Sequence, residues 1–356
     1  MNDKRRDTLE KIRNKTINSF GANSSIIGSD KYVLNVVSSP SLMLDYKLGI
    51  GGFPYGGMVE VFGANSLGKT TCIGYGTLAN VQREGKIPAL IAMEPNFDED
   101  WAFKLHGLDP NLILVQRPDN AEQAFEMLYD LVYDTEVNYI LLDSVGAMGA
   151  SSTQEGGKQK AYGVSSEVTS GLNAVMPRLW KANKGLMILN QQRQGSGGTQ
   201  TWYESPGGEG LKHHASIRIH LKPGANKYYS VIDGDRVLVG RELKCVFKKN
   251  RMSQAANKSA EFTFYNIETK EYGLGIDKVL DVINTAKVSG VMKPQGSWLE
   301  HQVFPKGKMQ GIVKARAFFK ENPEAFEIIR KDVMGVMIRN ELEIAQGPLQ
   351  EAENGS

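Results

Sequence analysis

Between about residues 40 and 270, short apolar runs alternate with stretches whose apolar positions recur at helical spacing. Met58–Phe62, Ala89–Met93, Leu112–Val115, Tyr139–Leu142 and Leu186–Leu189 each read as a short buried strand. The stretches between them predict helices over about 69–83, 121–134 and 164–183, and in the second Ala124, Phe125, Leu128 and Leu131 share one side. Strands alternating with helices predict an α/β fold with a mostly parallel central sheet and helices on both faces. Ile217–Leu221, Val237–Val239, Leu243–Phe247 and Glu261–Tyr265 follow without intervening helices and are expected to extend the sheet as antiparallel hairpins.

Both ends differ in texture from this middle. Residues 3–20 carry Leu9, Ile12, Ile17 and Phe20 among many charges, an amphipathic helix with a stripe too thin to fold alone. A linker around a short Ile26-Ile27 strand follows. From about 275, helical patterns over 276–288 and 323–338 flank Trp298 and predict a small α+β C-terminal domain. The expected division is an arm over 1–35, a core over 36–270, the C-terminal domain over 271–338 and a flexible tail over 339–356.

The 356 residues are 41% hydrophobic and 23% charged, ordinary for a globular protein with a sizeable core. No apolar run is long enough to span a bilayer, and the N-terminus has no apolar segment of signal-peptide type, so no membrane partner and a cytoplasmic location are expected. The two cysteines, Cys72 and Cys245, read as free thiols. The net charge of +2 neither favours nor excludes nucleic acid, because local patches decide that.

One segment carries specific chemistry. Gly63-Ala64-Asn65-Ser66-Leu67-Gly68-Lys69-Thr70 fits G-x-x-x-x-G-K-[ST] and lies between a predicted strand and a predicted helix. Its glycines let the backbone curl closely around phosphate oxygens, and its amides and helix N-terminus supply positive potential. Lys69 would reach the β- and γ-phosphates and Thr70 would ligate Mg²⁺. A chance match in a chain this long is on the order of one in a hundred. Asp143 ends the strand Tyr139–Leu142 at the same edge of the sheet, where a carboxylate can hold Mg²⁺. Glu94 ends another strand there and can orient a water against the γ-phosphate.

Several ordered segments together resemble the bacterial RecA family: Gly51-Gly52-Phe53-Pro54, the loop GANSLGKTT through Thr71, Leu141-Leu142-Asp143-Ser144-Val145, Leu189-Asn190-Gln191-Gln192-Arg193, Gly207-Gly208 with Leu211-Lys212, Lys249-Asn250-Arg251, Gly296-Ser297-Trp298 and Lys320-Glu321-Asn322-Pro323-Glu324. The likeness runs to about residue 338. It implies a phosphate-loop ATPase core with an N-terminal helix–strand arm that docks on a neighbouring copy, and ATP and Mg²⁺ as cofactors. It implies Glu94 as the water-activating glutamate, Asp98 and Trp101 at the adenine, and Gln191 as the γ-phosphate sensor. Lys249 and Arg251 match a basic pair that reaches the neighbour's ATP; the family usually has lysine at both positions, and Arg251 keeps the charge.

Two glycine-rich loops, 151–163 and 194–208, match the family's DNA-contacting loops. The resemblance places Lys158, Lys160, Tyr162, Gly163, Ser170, Arg193, Trp202, Tyr203, Gly207 and Gly208 at DNA. Lysines suit phosphates and the aromatics suit stacking on bases. Where the family has basic contacts on the next helix, this chain has Glu167 and Ala174. The implied activity is ATP-dependent recombination and repair: a helical homopolymer on single-stranded DNA that pairs homologous duplex, with a repressor-type protein as a further partner in many relatives. The alternatives are a hexameric motor built on the same core and a strand-coating scaffold with little hydrolysis.

Overall fold

The computed structural model of the chain describes residues 2–20, 34–93, 98–133, 136–147, 161–197, 200–253 and 258–346. In chain order the core elements are α1 (Asn2–Phe20), β1 (Val36–Val37), α2 (Leu42–Leu48), β2 (Phe53–Pro54), β3 (Met58–Gly63), α3 (Tyr75–Arg83), β4 (Ile87–Ala92), α4 (Glu99–His106), β5 (Leu114–Gln116), α5 (Ala121–Tyr133) and β6 (Val137–Asp143). They continue through α6 (Ala161–Lys181), β7 (Gly185–Gln191), β8 (Arg193–Gly197), β9 (Gln200–Glu204), α7 (Gly208–His214), β10 (Ile217–Ile232), β11 (Asp235–Asn250), β12 (Ser259–Tyr265) and β13 (Gly275–Ile276). The C-terminal part holds α8 (Lys278–Val288), β14 (Lys293–Gln295), β15 (Trp298–Glu300), β16 (Lys308–Gln310), α9 (Gly311–Glu321) and α10 (Pro323–Gln346).

The central sheet has nine strands in the order β13-β12-β11-β10-β3-β7-β6-β4-β5. From β10 to β5 neighbours run parallel, and β11, β12 and β13 add on antiparallel. Side chains from the two faces of the strands enter two apolar cores. One packs them with α2, α3 and α4, the other with α5, α6 and α7. The spacing read in 121–134 is what the second core uses: Ala121, Ala124, Phe125, Leu128, Leu131 and Val132 of α5 are all buried. Asn120 starts that helix by accepting the Gln123 amide at 2.9 Å. A third core, with Ile283, Phe304, Phe319 and Val333, fills the C-terminal domain around the three-stranded sheet β14-β15-β16.

Three expectations need correction, and several short elements were not predicted. Val237–Val239 and Leu243–Phe247 belong to one 16-residue strand, β11. The expected loop 194–208 contains the hairpin β8–β9 and the start of α7. The short elements α4, α9 and β14–β16 carry too little periodicity to stand out in the sequence. The tail expected from 339 begins inside α10, which continues to Gln346. Ile26 and Ile27 lie outside the described residues. Among the described residues, no helix is long and apolar enough to cross a membrane. Both cysteines are free and buried, and burial pushes the Cys245 thiol up to about 12.

Candidate active site

Parallel pairing sets the ends of four strands side by side. Gly63 pairs with Gln191 and Leu221, Asp143 with Leu189, and Ala92 with Asp143. The carboxyl edge of the sheet is where ligands bind in such folds, because helix N-termini and strand-end side chains converge there. Gly63 is pressed against β10: a Cβ on it would stand 2.4 Å from the Leu221 carbonyl oxygen, so only glycine fits. Gly68 takes φ +87°, the left-handed conformation that turns the loop into its helix. That helix opens with a wide turn, Lys69–Gly74, in which the Cys72 and Ile73 amides both bond the Gly68 carbonyl, before regular α3 begins.

Lys69 is buried, its Nζ donating to the Gly63 and Ala64 carbonyls at 3.1 and 2.9 Å, so the ammonium sits on the concave side of its own loop. Asn65 and Ser66 are exposed at the rim and Leu67 is buried beneath it. The Thr70 hydroxyl donates to Asp143 Oδ2 at 2.6 Å, a charge-assisted length. Two oxygen groups, one from the turn that opens the loop's helix and one from the end of β6, thus meet at one point, a donor set suited to Mg²⁺, which takes one or two protein oxygens beside phosphate and water. The Met93 amide donates to the Asp143 carbonyl at 2.6 Å, fixing the chain just before residue 94. Glu94 itself lies outside the described residues.

Asp98 caps α4, accepting the Trp101 amide at 2.9 Å. The same helix is tied to the loop's helix by His106, whose Nε2 lies 2.7 Å from the Thr71 carbonyl. A carbonyl only accepts, so Nε2 carries the proton. Burial, then the charges of Arg83 and Lys278, pull this imidazole down to about 4, so it is neutral at physiological pH. Lys249 and Arg251 stand elsewhere. Lys249 pairs with Arg218 on β10, which pairs with Glu60 of β3. Three residues back from Gly63 and two strands across is roughly 14 Å from the loop. Lys249 Nζ bonds the Lys212 and His213 carbonyls at 2.7 and 2.9 Å. Burial and the charges of Arg251 and Arg218 lower its pKa. The Arg251 side chain is exposed, and its amide bonds the Ser216 carbonyl at 3.0 Å.

A polar network that the sequence did not reveal joins the sheet to the hairpin β8–β9. Glu60 is fully buried and pairs with Arg218 at 2.5 Å. Arg218 Nη2 also reaches the Ser205 hydroxyl at 3.0 Å. Asn190 Nδ2 bonds Glu60 at 3.3 Å and the Pro206 carbonyl at 2.8 Å. Beside it, His220 stacks on Phe62 with ring centroids 4.6 Å apart and pairs with Gln192 Oε1 at 2.9 Å. Burial, then Lys222 and Lys248, depress that imidazole to about 4. Both feet of the hairpin, Gln192 and Ser205-Pro206, are therefore held on strands β3, β7 and β10.

A family model described as the RecA N-terminal domain matches residues 7–270. This chain belongs to the RecA family. Among curated relatives, a protein named Protein RecA from Bifidobacterium breve is 33% identical over 341 residues, covering 94% of this chain and 82% of that protein. Another of the same name from Thermus thermophilus is 33% identical over 340 residues, covering 94% and 95%. RecA-family membership accords with the nine-stranded α/β core and the small C-terminal domain.

The residues expected at DNA are spread around this RecA-family core. Lys158 and Lys160 lie outside the described residues, and Tyr162 and Gly163 fall in the first turn of α6. Ser170 is exposed further along α6. Glu167, where the family carries a basic residue, lies beside Glu122 of α5, and burial and that neighbour's charge raise its pKa. Arg193 is exposed at the start of β8. Trp202 and Tyr203 are on β9, and Tyr203 is 41% exposed while its ring leans on His220. Gly207 and Gly208 take positive φ of 103° and 75° where the chain turns into α7.

Proposed function

We propose that this RecA-family chain is a DNA-dependent ATPase that polymerises on single-stranded DNA and exchanges its strand with a homologous duplex. The observation that carries the reading is the cluster of Lys69, Thr70 and Asp143 on one loop and one strand end. Loop amides and the Lys69 ammonium bind the phosphates of ATP. Thr70 and Asp143 hold Mg²⁺, which when bound neutralises phosphate charge. Glu94, one residue beyond the tethered Met93, takes the proton of the attacking water. Asp98 and Trp101, on the helix that His106 ties to the loop, face the adenine.

Self-association is supported by what the arm and the sheet edge present. Leu9 and Ile12 on α1 are 51% and 58% exposed. At the free edge of the sheet, Leu112, just before β5, and Leu114, on it, are 61% and 42% exposed. Stacking copies along an open helix would bury both and would bring Lys249 and Arg251 of one copy to the phosphate loop of the next, the in-trans cation logic of an arginine finger. Gln191, at the end of β7 beside Gly63, passes the state of the nucleotide into β8–β9, whose aromatics and Arg193 meet DNA.

The deciding experiment measures phosphate release with and without single-stranded DNA, then images the same mixture. Stimulation by DNA together with open helical filaments supports the proposal. Closed rings would assign the chain to the ring motors instead. Filaments without turnover would make it a scaffold.

A further inference from the structure

Away from the phosphate loop, a cleft of about 870 Å³ opens between α3 and α4 of the core and α8, α9 and α10 of the C-terminal domain. Arg83, at the far end of α3, contributes one wall, and Lys278, Lys320 and Arg330 contribute the other. Arg83 is fourteen positions beyond Lys69, roughly 20 Å along the helix. The cleft also contains five carboxylates, and each is already engaged. Asp277 pairs with Arg316 at 2.5 Å, and Glu327 with Arg330 at 3.0 Å. Asp281 accepts from the Ser41 hydroxyl and the Leu42 amide, Asp45 from the Ser39 amide, and Glu84 from Tyr55 and Lys86.

Arg316 and Arg330 aside, three cations of the cleft, Arg83, Lys278 and Lys320, have no carboxylate partner among the described residues. Arg83 donates only to neutral oxygens, the Asn80 side chain and the His106 carbonyl. Among the described residues, Lys278 and Lys320 have no hydrogen-bond or ion-pair partner. Lys278 is close enough to Arg83 and Arg330 for their charges, added to burial, to lower its pKa. Positive groups held near one another in a concave, partly desolvated site leave an electrostatic cost that an anion would relieve.

We propose that this cleft is a second phosphate-binding site, taking a small phosphorylated ligand of about nucleotide size between Arg83 of the core and Lys278 of the C-terminal domain. Its volume lies in the range of small-molecule pockets, roughly 300–1,000 Å³, too small to admit a duplex. Arg83 offers a planar fork for phosphate oxygens and Lys278 a point charge. Leu105, Leu274 and Phe326 line the same cleft and give an apolar body a surface to rest on. A ligand bridging the two walls would also fasten the C-terminal domain to the core.

Tripolyphosphate titrated calorimetrically into the full chain at low salt, without magnesium, tests this. The wild type is expected to bind two per chain. Lys69→Ala should lose one and keep the other. Lys278→Glu should lose the one that Lys69→Ala keeps, and Lys278→Gln, which removes the charge without reversing it, should weaken it roughly tenfold. One site per chain, removed by Lys69→Ala and indifferent to both Lys278 substitutions, would overturn the proposal. So would displacement of tripolyphosphate from the Lys278-dependent site by oligothymidylate, because the phosphate would then belong to a DNA backbone rather than a small ligand.

Discussion

At the scale of single residues the site divides into groups that the sequence exposes and groups that it hides. Lys69, Thr70 and Asp143 were legible because phosphate binding demands glycines and a lysine at fixed spacing, and because an Asp at a strand end is easily recognised. Lys69→Ala should abolish nucleotide-dependent turnover, measured as phosphate release, while the fold melts near the wild-type temperature. Glu94→Gln should keep ATP and DNA binding and lose hydrolysis by about 10²-fold or more, the usual size of a general-base contribution. Glu60, Asn190, Arg218 and His220 were not legible. Glu60 and Arg218 are 158 positions apart, and only the strand order β10-β3-β7 makes them neighbours. Glu60→Ala would leave the Arg218 charge buried without its partner and should destabilise the chain by about 3–5 kcal/mol, read from denaturant melts. His220 is held below its unfolded value of 6.5, so the unfolded chain binds that proton first as the pH falls. Its share of stability is present above about pH 6.5 and is lost towards pH 4. His220→Gln should flatten that part of the stability–pH curve.

At the scale of elements, the parallel strands and long helices were legible because their burial patterns are long and regular. Shorter or interrupted elements were not. Pro223 and Gly224 are residue types that favour turns, yet β10 runs through them. The sheet absorbs the irregularity as a register shift between Pro223 and Lys227, where the Glu242 carboxylate accepts the Ala225 and Asn226 amides. The hairpin β8–β9 was read as loop because glycine and polar residues dominate its first strand. Its feet rest on sheet residues, so the strands can be altered without disturbing the core. Replacing 195–202 by a short glycine linker should preserve nucleotide binding and basal hydrolysis but remove stimulation by single-stranded DNA. Arm helix α1 makes a separate prediction: Leu9→Ser with Ile12→Ser should leave the melting temperature nearly unchanged, since both side chains are exposed, while shifting sedimentation from filaments towards single copies.

At the scale of the whole molecule, the fold was legible from the alternation of strands and helices, but the relation between Lys249, Arg251 and the phosphate loop was legible only through the family resemblance, because distance across a sheet is not written in local pattern. Their separation from the loop of the same chain makes the proposed active unit a pair of copies. Lys69→Ala and Arg251→Ala should each be inactive alone. Mixed in equal amounts and co-assembled on DNA, they should recover roughly a quarter of wild-type turnover, since one junction in four then joins an intact loop to an intact arginine. The ribbon of β10 and β11 has a further consequence. Its last paired residues, from Tyr229–Leu238 to Ile232–Asp235, extend about 13 Å past the final rung shared with β12. The Asp233-Gly234 bend that closes it takes φ of 52° and 91° and is exposed. A fluorophore or an affinity tag inserted at that bend would ride outside the sheet, leaving catalysis alone while reporting, by its shielding or its freedom, how closely consecutive molecules are wound together in the proposed filament.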